Sequence, residues 1–184
     1  RRFDSYDRPL VFRQSPLAPP PLEAYLDALG WRRFDETIVM TGAIDSLDID
    51  HGMDHLPMRD IGRYVDASIA VHGREQSLKP GLTEVLSAIR PPSGLFVLEE
   101  EEIGPVSTAL CVHDNDLAGL FELATRADMR RSGYGRDVVT AALHRGAETA
   151  WLQVESANTA AVGLYKGLGF GEVYRYAYRQ KPGY

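Results

Sequence analysis

Residues 125–136 of this 184-residue chain read TRADMRRSGYGR. Gly133 and Gly135 permit positive φ and close approach of the backbone to a ligand. Arg130, Arg131 and Arg136 place cationic charge where a phosphate would sit. A Gly-rich turn between a strand and a helix presents backbone N–H groups to an anion, at the positive end of the helix dipole. The dinucleotide fingerprint fails, because no third glycine follows Gly133-Tyr134-Gly135. The P-loop fails as well, because no Gly-Lys-Ser/Thr exists. The plain alternative at this stage is an arginine-rich, solvated helix start. Residues 152–170, LQVESANTAAVGLYKGLGF, form a second block. Asn158 precedes Tyr165 by seven residues, and Gly169-Phe170 closes the helix between them. Taken alone, Tyr165 reads as a helix aromatic packed on a sheet.

These residues need elements to hold them. After Gly94 the pattern is one of strands: 95–98, 105–112 and 118–125, joined by hairpins at 99–104 and 113–117. A helix is predicted from Gly133 to about Ala150, then a strand at 151–155, a helix at 159–168 and a strand at 172–180. Two helices, 59–71 and 80–89, come before this set, and the Asp-, Gly- and His-rich residues 46–57 read as a loop. The fold class is α/β, a mixed, mostly antiparallel sheet with helices on both faces. Upstream, a strand at 10–13 leads through prolines to a helix with Leu22, Tyr25, Leu26 and Leu29 at helical spacing. Gly30 caps that helix, and a strand follows at 36–44. Residues 10–44 therefore read strand, helix, Leu29-Gly30-Trp31, strand. Residues 151–180 read strand, helix, Leu168-Gly169-Phe170, strand. Either a duplication or the common habit of ending a helix with Gly plus an aromatic explains the likeness.

Arg130-x-x-Gly133-x-Gly135 resembles the Arg/Gln-x-x-Gly-x-Gly/Ala pyrophosphate loop of the GCN5-related N-acetyltransferases. The block at 152–170 resembles that family's strand, Asn, helix with Tyr, then Gly-Phe. The two blocks occur in the family's order and cover about residues 95–180, with 46–94 agreeing by helix count. The resemblance implies the acyl-CoA N-acyltransferase fold over residues 46–184. It implies that residues 1–45 are the tail of a degenerate half-domain of the same type, or a sheet extension. It further implies acetyl-CoA as the donor co-substrate, an amine acceptor (a small molecule, or the N-terminus or a lysine of a protein), and no metal. The pyrophosphate would sit on the N–H groups of Arg131, Ser132, Gly133, Tyr134, Gly135 and Arg136, beside Arg130. The pantetheine would run along Leu123, Ala124 and Thr125. The N–H of Leu123 would polarise the thioester carbonyl. Asn158 would hold the pantetheine or the start of the last helix. Tyr165 would protonate the leaving thiolate.

The match fails at the general base. Relatives that acetylate protein N-termini carry a Glu five residues before the Asn, and here that residue is Gln153, which cannot take a proton. Other members use an acid or His six residues before the position of Thr125, and here that is Gly119. Glu155 shares the face of Gln153 by strand alternation, and Glu122 lies on the opposite parity to Gly119. Glu155, Glu122, or no single base are the alternatives.

Composition bounds the rest. The charge is −6, with 26 Asp+Glu against 20 Lys+Arg. That argues against a general nucleic-acid or anionic-membrane binder. No apolar run approaches 18 residues, so no transmembrane span is expected. Residues 1–4 carry no apolar h-region, so no signal peptide is expected there; without an initiator Met, the true N-terminus stays open. The single cysteine, Cys111, excludes an internal disulfide, fits a reducing cytoplasm and reads as a core residue. His51 and His55 lie four apart, but an intervening Gly and Pro57 argue against a helical metal site. Residues 99–102 are four acids at a hairpin tip, solvated or drawing a cationic acceptor. Tyr174, Tyr176 and Tyr178 alternate along the last strand, share one face and read as packing residues, with contact to the acceptor as the alternative. The expectation is a cytoplasmic N-acetyltransferase working by direct attack of an amine in a ternary complex, with a homodimer left open. The rival is a non-catalytic acyl-CoA-binding or regulatory module.

Overall fold

The computed structural model describes residues 9–49, 55–143 and 147–183. Seven strands and five α-helices follow the chain as β1 (Val11–Gln14), α1 (Pro21–Ala28), β2 (Arg32–Ala43), α2 (Ile61–His72), α3 (Lys79–Ser87), β3 (Ser93–Glu100), β4 (Gly104–Asp114), β5 (Leu117–Thr125), α4 (Tyr134–Leu143), β6 (Thr149–Glu155), α5 (Thr159–Gly167) and β7 (Gly171–Gln180). The strands hydrogen-bond in the order β1-β7-β2-β6-β5-β4-β3. The sheet is mixed: β1/β7, β3/β4 and β4/β5 are antiparallel, and β5/β6 is parallel.

The chain forms two compact units. The larger comprises residues 41–152 and 164–170. Its centre is β4, where residues 106–111 are buried without a break. Side chains alternate between faces, so an unbroken run means that both faces are covered. On one face Leu95 and Leu110 pack with Tyr64, Val65 and Ile69 of α2, and Leu82, Leu86 and Ile89 add partial cover. α2 begins at Asp60, whose side chain accepts from Arg63 N–H at 3.0 Å, and ends at Gly73 in the left-handed region. α4 buries Val138, Val139, Ala142 and Leu143.

The smaller unit holds the described residues of 1–40, residues 153–163 and the described residues of 171–184. Here β1 pairs with β7 from Val11↔Gln180 to Gln14↔Ala177. Arg179 of β7 is buried, yet its guanidinium is fully engaged by Asp27 (2.7 Å), Glu23 (3.3 Å) and Gln14 Oε1 (2.8 Å). Isolated, that charge would carry a large desolvation cost.

Several element limits differ from those read from the residues. The helix predicted to reach Ala150 has Leu143 as its last described residue, and Thr149 and Ala150 belong to β6, paired with Leu117 and Ala118 of β5. β2 begins at Arg32 rather than Glu36. In α1 only Leu26 is buried; Tyr25 and Leu29 face solvent.

Candidate functional site

The block predicted to meet an anion folds as its residue types require. β5 ends at Thr125, whose Oγ1 lies 3.1 Å from Ser107 Oγ, and Ser107 donates to Ala124 O at 2.8 Å. A short 3₁₀ turn, Ala127–Met129, follows, braced by Arg126 on Asp128 at 2.7 Å. Arg130 Nε donates to Thr125 O at 3.4 Å. Arg131 and Gly133 then take positive φ, +64° and +95°, which turns successive N–H groups toward one side. Arg136 N–H and Asp137 N–H both donate to Gly133 O, at 2.8 and 3.1 Å. Among the described residues, the N–H groups of Ser132, Gly133, Tyr134 and Gly135 meet no acceptor. These four are the donors open to an anion at the start of α4. Gly135 is pressed close: a Cβ there would lie 3.3 Å from Leu164 and 3.4 Å from Thr125 Oγ1.

Two of the predicted site residues are committed elsewhere. The Arg136 guanidinium donates to Asp48 O at 2.7 Å and pairs with its carboxylate at 3.2 Å. The Tyr134 hydroxyl donates to Glu100 at 2.6 Å. Arg130 and Arg131 make no ion pair among the described residues.

The β5 edge carries the next predicted group. The β5/β6 register runs from Leu117↔Thr149 to Leu120↔Leu152 and goes no further among the described residues. On the other side, Leu110 pairs with Phe121 and Thr108 with Ala124. Glu122 and Leu123 thus stand together against Ala109, a β-bulge, and Glu122 takes φ +48°. The Glu122 carboxylate is held by Arg74 at 2.5 Å, with Ser68 Oγ at 3.4 Å. Its backbone carbonyl accepts from Thr108 Oγ1 at 3.3 Å and lies 3.4 Å from His72 Nε2. Nothing local in the chain signals that α2, with Ser68 and His72, and Arg74 just after its cap meet Glu122. The signal would have been an unpaired acid at a strand position followed by two apolar residues.

Tyr165 of α5 is buried, at 6% exposure, with its ring 6.0 Å from Phe170. Burial pushes its phenol up to about 12. Its hydroxyl has no hydrogen-bond partner among the described residues. In the smaller unit, Asn158 Oδ1 accepts from Ala161 N–H at 3.1 Å, the bond of an N-cap. Gln153 and Glu155 are both exposed and alternate with buried Leu152 and Val154, the shared face read from the sequence. Gln153 Oε1 accepts from the Tyr176 hydroxyl at 2.6 Å. Tyr176 and Tyr178 pack edge to face at 5.6 Å, while Tyr174 is exposed.

Cys111 is fully buried and its thiol is pushed up to about 12 by burial, although His113 Nε2 lies 3.5 Å away. It is a core residue. Among the described residues no group of three or more His, Cys, Asp or Glu is placed to hold a metal, and no helix is long and apolar enough to cross a membrane. His51 lies outside the described residues. A polar cavity in the smaller unit, lined by Pro19, Glu23, Arg33, Arg175 and Tyr176, contains none of the motif residues.

Residues 65–170 match the model of the acetyltransferase (GNAT) family. A segment of 61 residues is 41% identical to the [ribosomal protein bS18]-alanine N-acetyltransferase of Escherichia coli strain K12, covering 31% of this chain and 41% of that protein. The match thus spans less than half the length of that curated relative. An uncharacterized N-acetyltransferase of Bacillus subtilis strain 168 is 24% identical over 97% of this chain and 76% of its own length. Among solved structures, a GCN5-related N-acetyltransferase from Kribbella flavida superposes with a TM-score of 0.69 at 20% identity, over 100% of this chain and 72% of its own.

Proposed function

Because the chain belongs to the acetyltransferase (GNAT) family, we propose that it transfers an acetyl group from acetyl-CoA directly to an amine. The observation that carries this reading is the row of four unclaimed N–H groups at Ser132, Gly133, Tyr134 and Gly135, between the end of β5 and α4. That row fits a pyrophosphate: the dipole end favours negative charge, and Gly135 keeps a side chain out of the way. Arg130 and Arg131 supply cationic charge, while Arg136 is engaged elsewhere, its N–H by Gly133 O and its guanidinium by Asp48.

The amine nitrogen would bond to the acyl carbon as the C–S bond breaks. Charge developing on the acyl oxygen would be met by Leu123 N–H. The sulfur would take its proton from Tyr165, which is protonated at neutral pH and has no competing hydroxyl partner among the described residues. The amine proton would leave to Glu155, which is exposed and makes no ion pair among the described residues, whereas the Glu122 carboxylate is already engaged by Arg74. Asn158 acts on the start of α5. Residues 1–45 are read as the tail of a degenerate half-domain, without a donor site of its own. The named activity of the E. coli relative supports a protein N-terminus as one acceptor class.

Acetyl-CoA should raise the melting temperature, since a ligand at 100 times its Kd contributes roughly 2.7 kcal/mol. Gly135→Val should abolish that shift with an unchanged circular dichroism spectrum. An unchanged shift in that variant would place the donor elsewhere. Thiol release with a panel of amines separates turnover from mere binding.

A further inference from the structure

We propose that His72 is a positioning residue: it holds and polarises the Glu122–Leu123 peptide so that Leu123 N–H faces the acyl carbonyl. This rests on the reading of Leu123 as the oxyanion donor.

The geometry begins with the peptide itself. In a trans peptide the C=O and the following N–H point in opposite directions in one plane, and the described chain has no cis bonds. Fixing the Glu122 carbonyl therefore fixes the Leu123 N–H. Two side chains from different elements reach that carbonyl, Thr108 Oγ1 of β4 at 3.3 Å and His72 Nε2 of α2 at 3.4 Å. The carbonyl needs such holding. A bulge interrupts the regular ladder here, and a non-glycine residue at φ +48° is strained.

His72 suits the task. It is the last residue of α2, fixed by the left-handed Gly73 that follows it. A carbonyl oxygen only accepts, so Nε2 must carry the hydrogen. Burial and the neighbouring Arg74 guanidinium lower its basicity, while Glu122 opposes them, so the neutral Nε2–H tautomer serves at neutral pH. Nε2 lies 3.4 Å from the Glu122 carbonyl oxygen and 3.6 Å from the Glu122 carboxylate, and Arg74 holds that carboxylate more closely, so the backbone oxygen is the nearer acceptor for the imidazole. A hydrogen bond accepted by a peptide C=O also polarises the same peptide's N–H, strengthening it by roughly 10–30%. The buried Tyr64 has a hydroxyl with no partner among the described residues, so it does not compete for the carbonyl.

The test reads the acyl carbonyl by isotope-edited infrared spectroscopy of [1-¹³C]acetyl-CoA bound to the whole chain. In the wild type the bound carbonyl band should lie below that of free acetyl-CoA. In H72L the displacement should shrink by about half or more, and in H72Q, whose amide nitrogen reaches the place of Nε2, it should return. The amide ¹⁵N shift of Leu123, recorded without ligand, should move in H72L and recover in H72Q. Equal carbonyl displacement and equal ¹⁵N shift in wild type and folded H72L would overturn the role of His72. A wild-type complex with no displacement would overturn the Leu123 reading, and this proposal with it. Should H72L fail to fold, H72Q and H72N decide. The shorter Asn does not reach, so displacement in H72Q alone supports the proposal, and equal displacement in both overturns it.

Discussion

In α1 the residue four before the capping glycine is Leu26, and in α5 it is Tyr165. Both are buried to the same degree, at 5% and 6% exposure. Both helices end in one geometry: Trp31 N–H donates to Leu26 O at 3.0 Å across Gly30 at φ +70°, and Phe170 N–H donates to Tyr165 O at 3.0 Å across Gly169 at φ +98°. Their beginnings differ. α1 starts on Pro20 and Pro21 with no side-chain cap, whereas α5 starts on Asn158 with its Oδ1 on Ala161 N–H. The stop of the helix is architecture and recurs. The start, and the identity of the buried residue one turn before the stop, are where chemistry is proposed to enter. The buried position one turn before the stop holds an alkyl side chain in α1 and, in α5, the phenol proposed as the proton donor.

The largest effect should come from emptying the alkyl slot. Leu26→Ala should cost about 2–5 kcal/mol in urea unfolding, as for a buried leucine, and leave kcat per folded molecule unchanged. A fall in kcat would show that α1 takes part in the reaction. Next is the hydroxyl alone. Tyr165→Phe should lower kcat by on the order of 10²-fold with acetyl-CoA affinity and stability nearly intact. Wild-type turnover in this variant would return Tyr165 to packing and make the two slots equivalent.

The same pair differs in alkali. The folded phenol of Tyr165 titrates at about 12, against 10.0 for an ordinary tyrosine. Above about pH 10 the unfolded chain sheds this proton first, so stability falls as pH rises, by roughly 2–3 kcal/mol at pH 12. Tyr165→Phe should remove that part of the fall, and Leu26→Ala should not. The smallest effect is at the helix starts. Asn158→Ala should cost about 1 kcal/mol, the value of an N-cap, with little change in kcat. A loss of acetyl-CoA affinity beyond the stability change would show that Asn158 touches the donor.

Much of this was legible in the residues. The Leu-Gly-aromatic stops, the alternation of Gln153 and Glu155 against Leu152 and Val154, and the Gly-rich turn at 130–135 are all local signals, set by φ preference or side-chain period. Three features were not. Arg32–Asp35 looks like a charged loop, and it is strand only because β2 has neighbours on both sides. Thr149 and Ala150 continue a helical pattern, and the ladder with Leu117 and Ala118 overrides it. The engagement of Arg136 by Asp48 and of Glu122 by Arg74 joins residues 88 and 48 positions apart, which no window on the chain contains.

The bulge in β5 has an evolutionary consequence. Because one residue too many is absorbed between Leu110↔Phe121 and Thr108↔Ala124, the flanking pairs keep a common face whether the surplus residue is present or not. Loss of a single codon at Glu122 would heal the ladder rather than slip it. It would also erase the outturned peptide, and with it the partner of His72 and Arg74. Deletion inside a central strand is ordinarily among the harshest of changes. Here it would spare the sheet and silence the proposed chemistry, a short route by which a lineage could keep this fold as a binding scaffold after giving up the reaction.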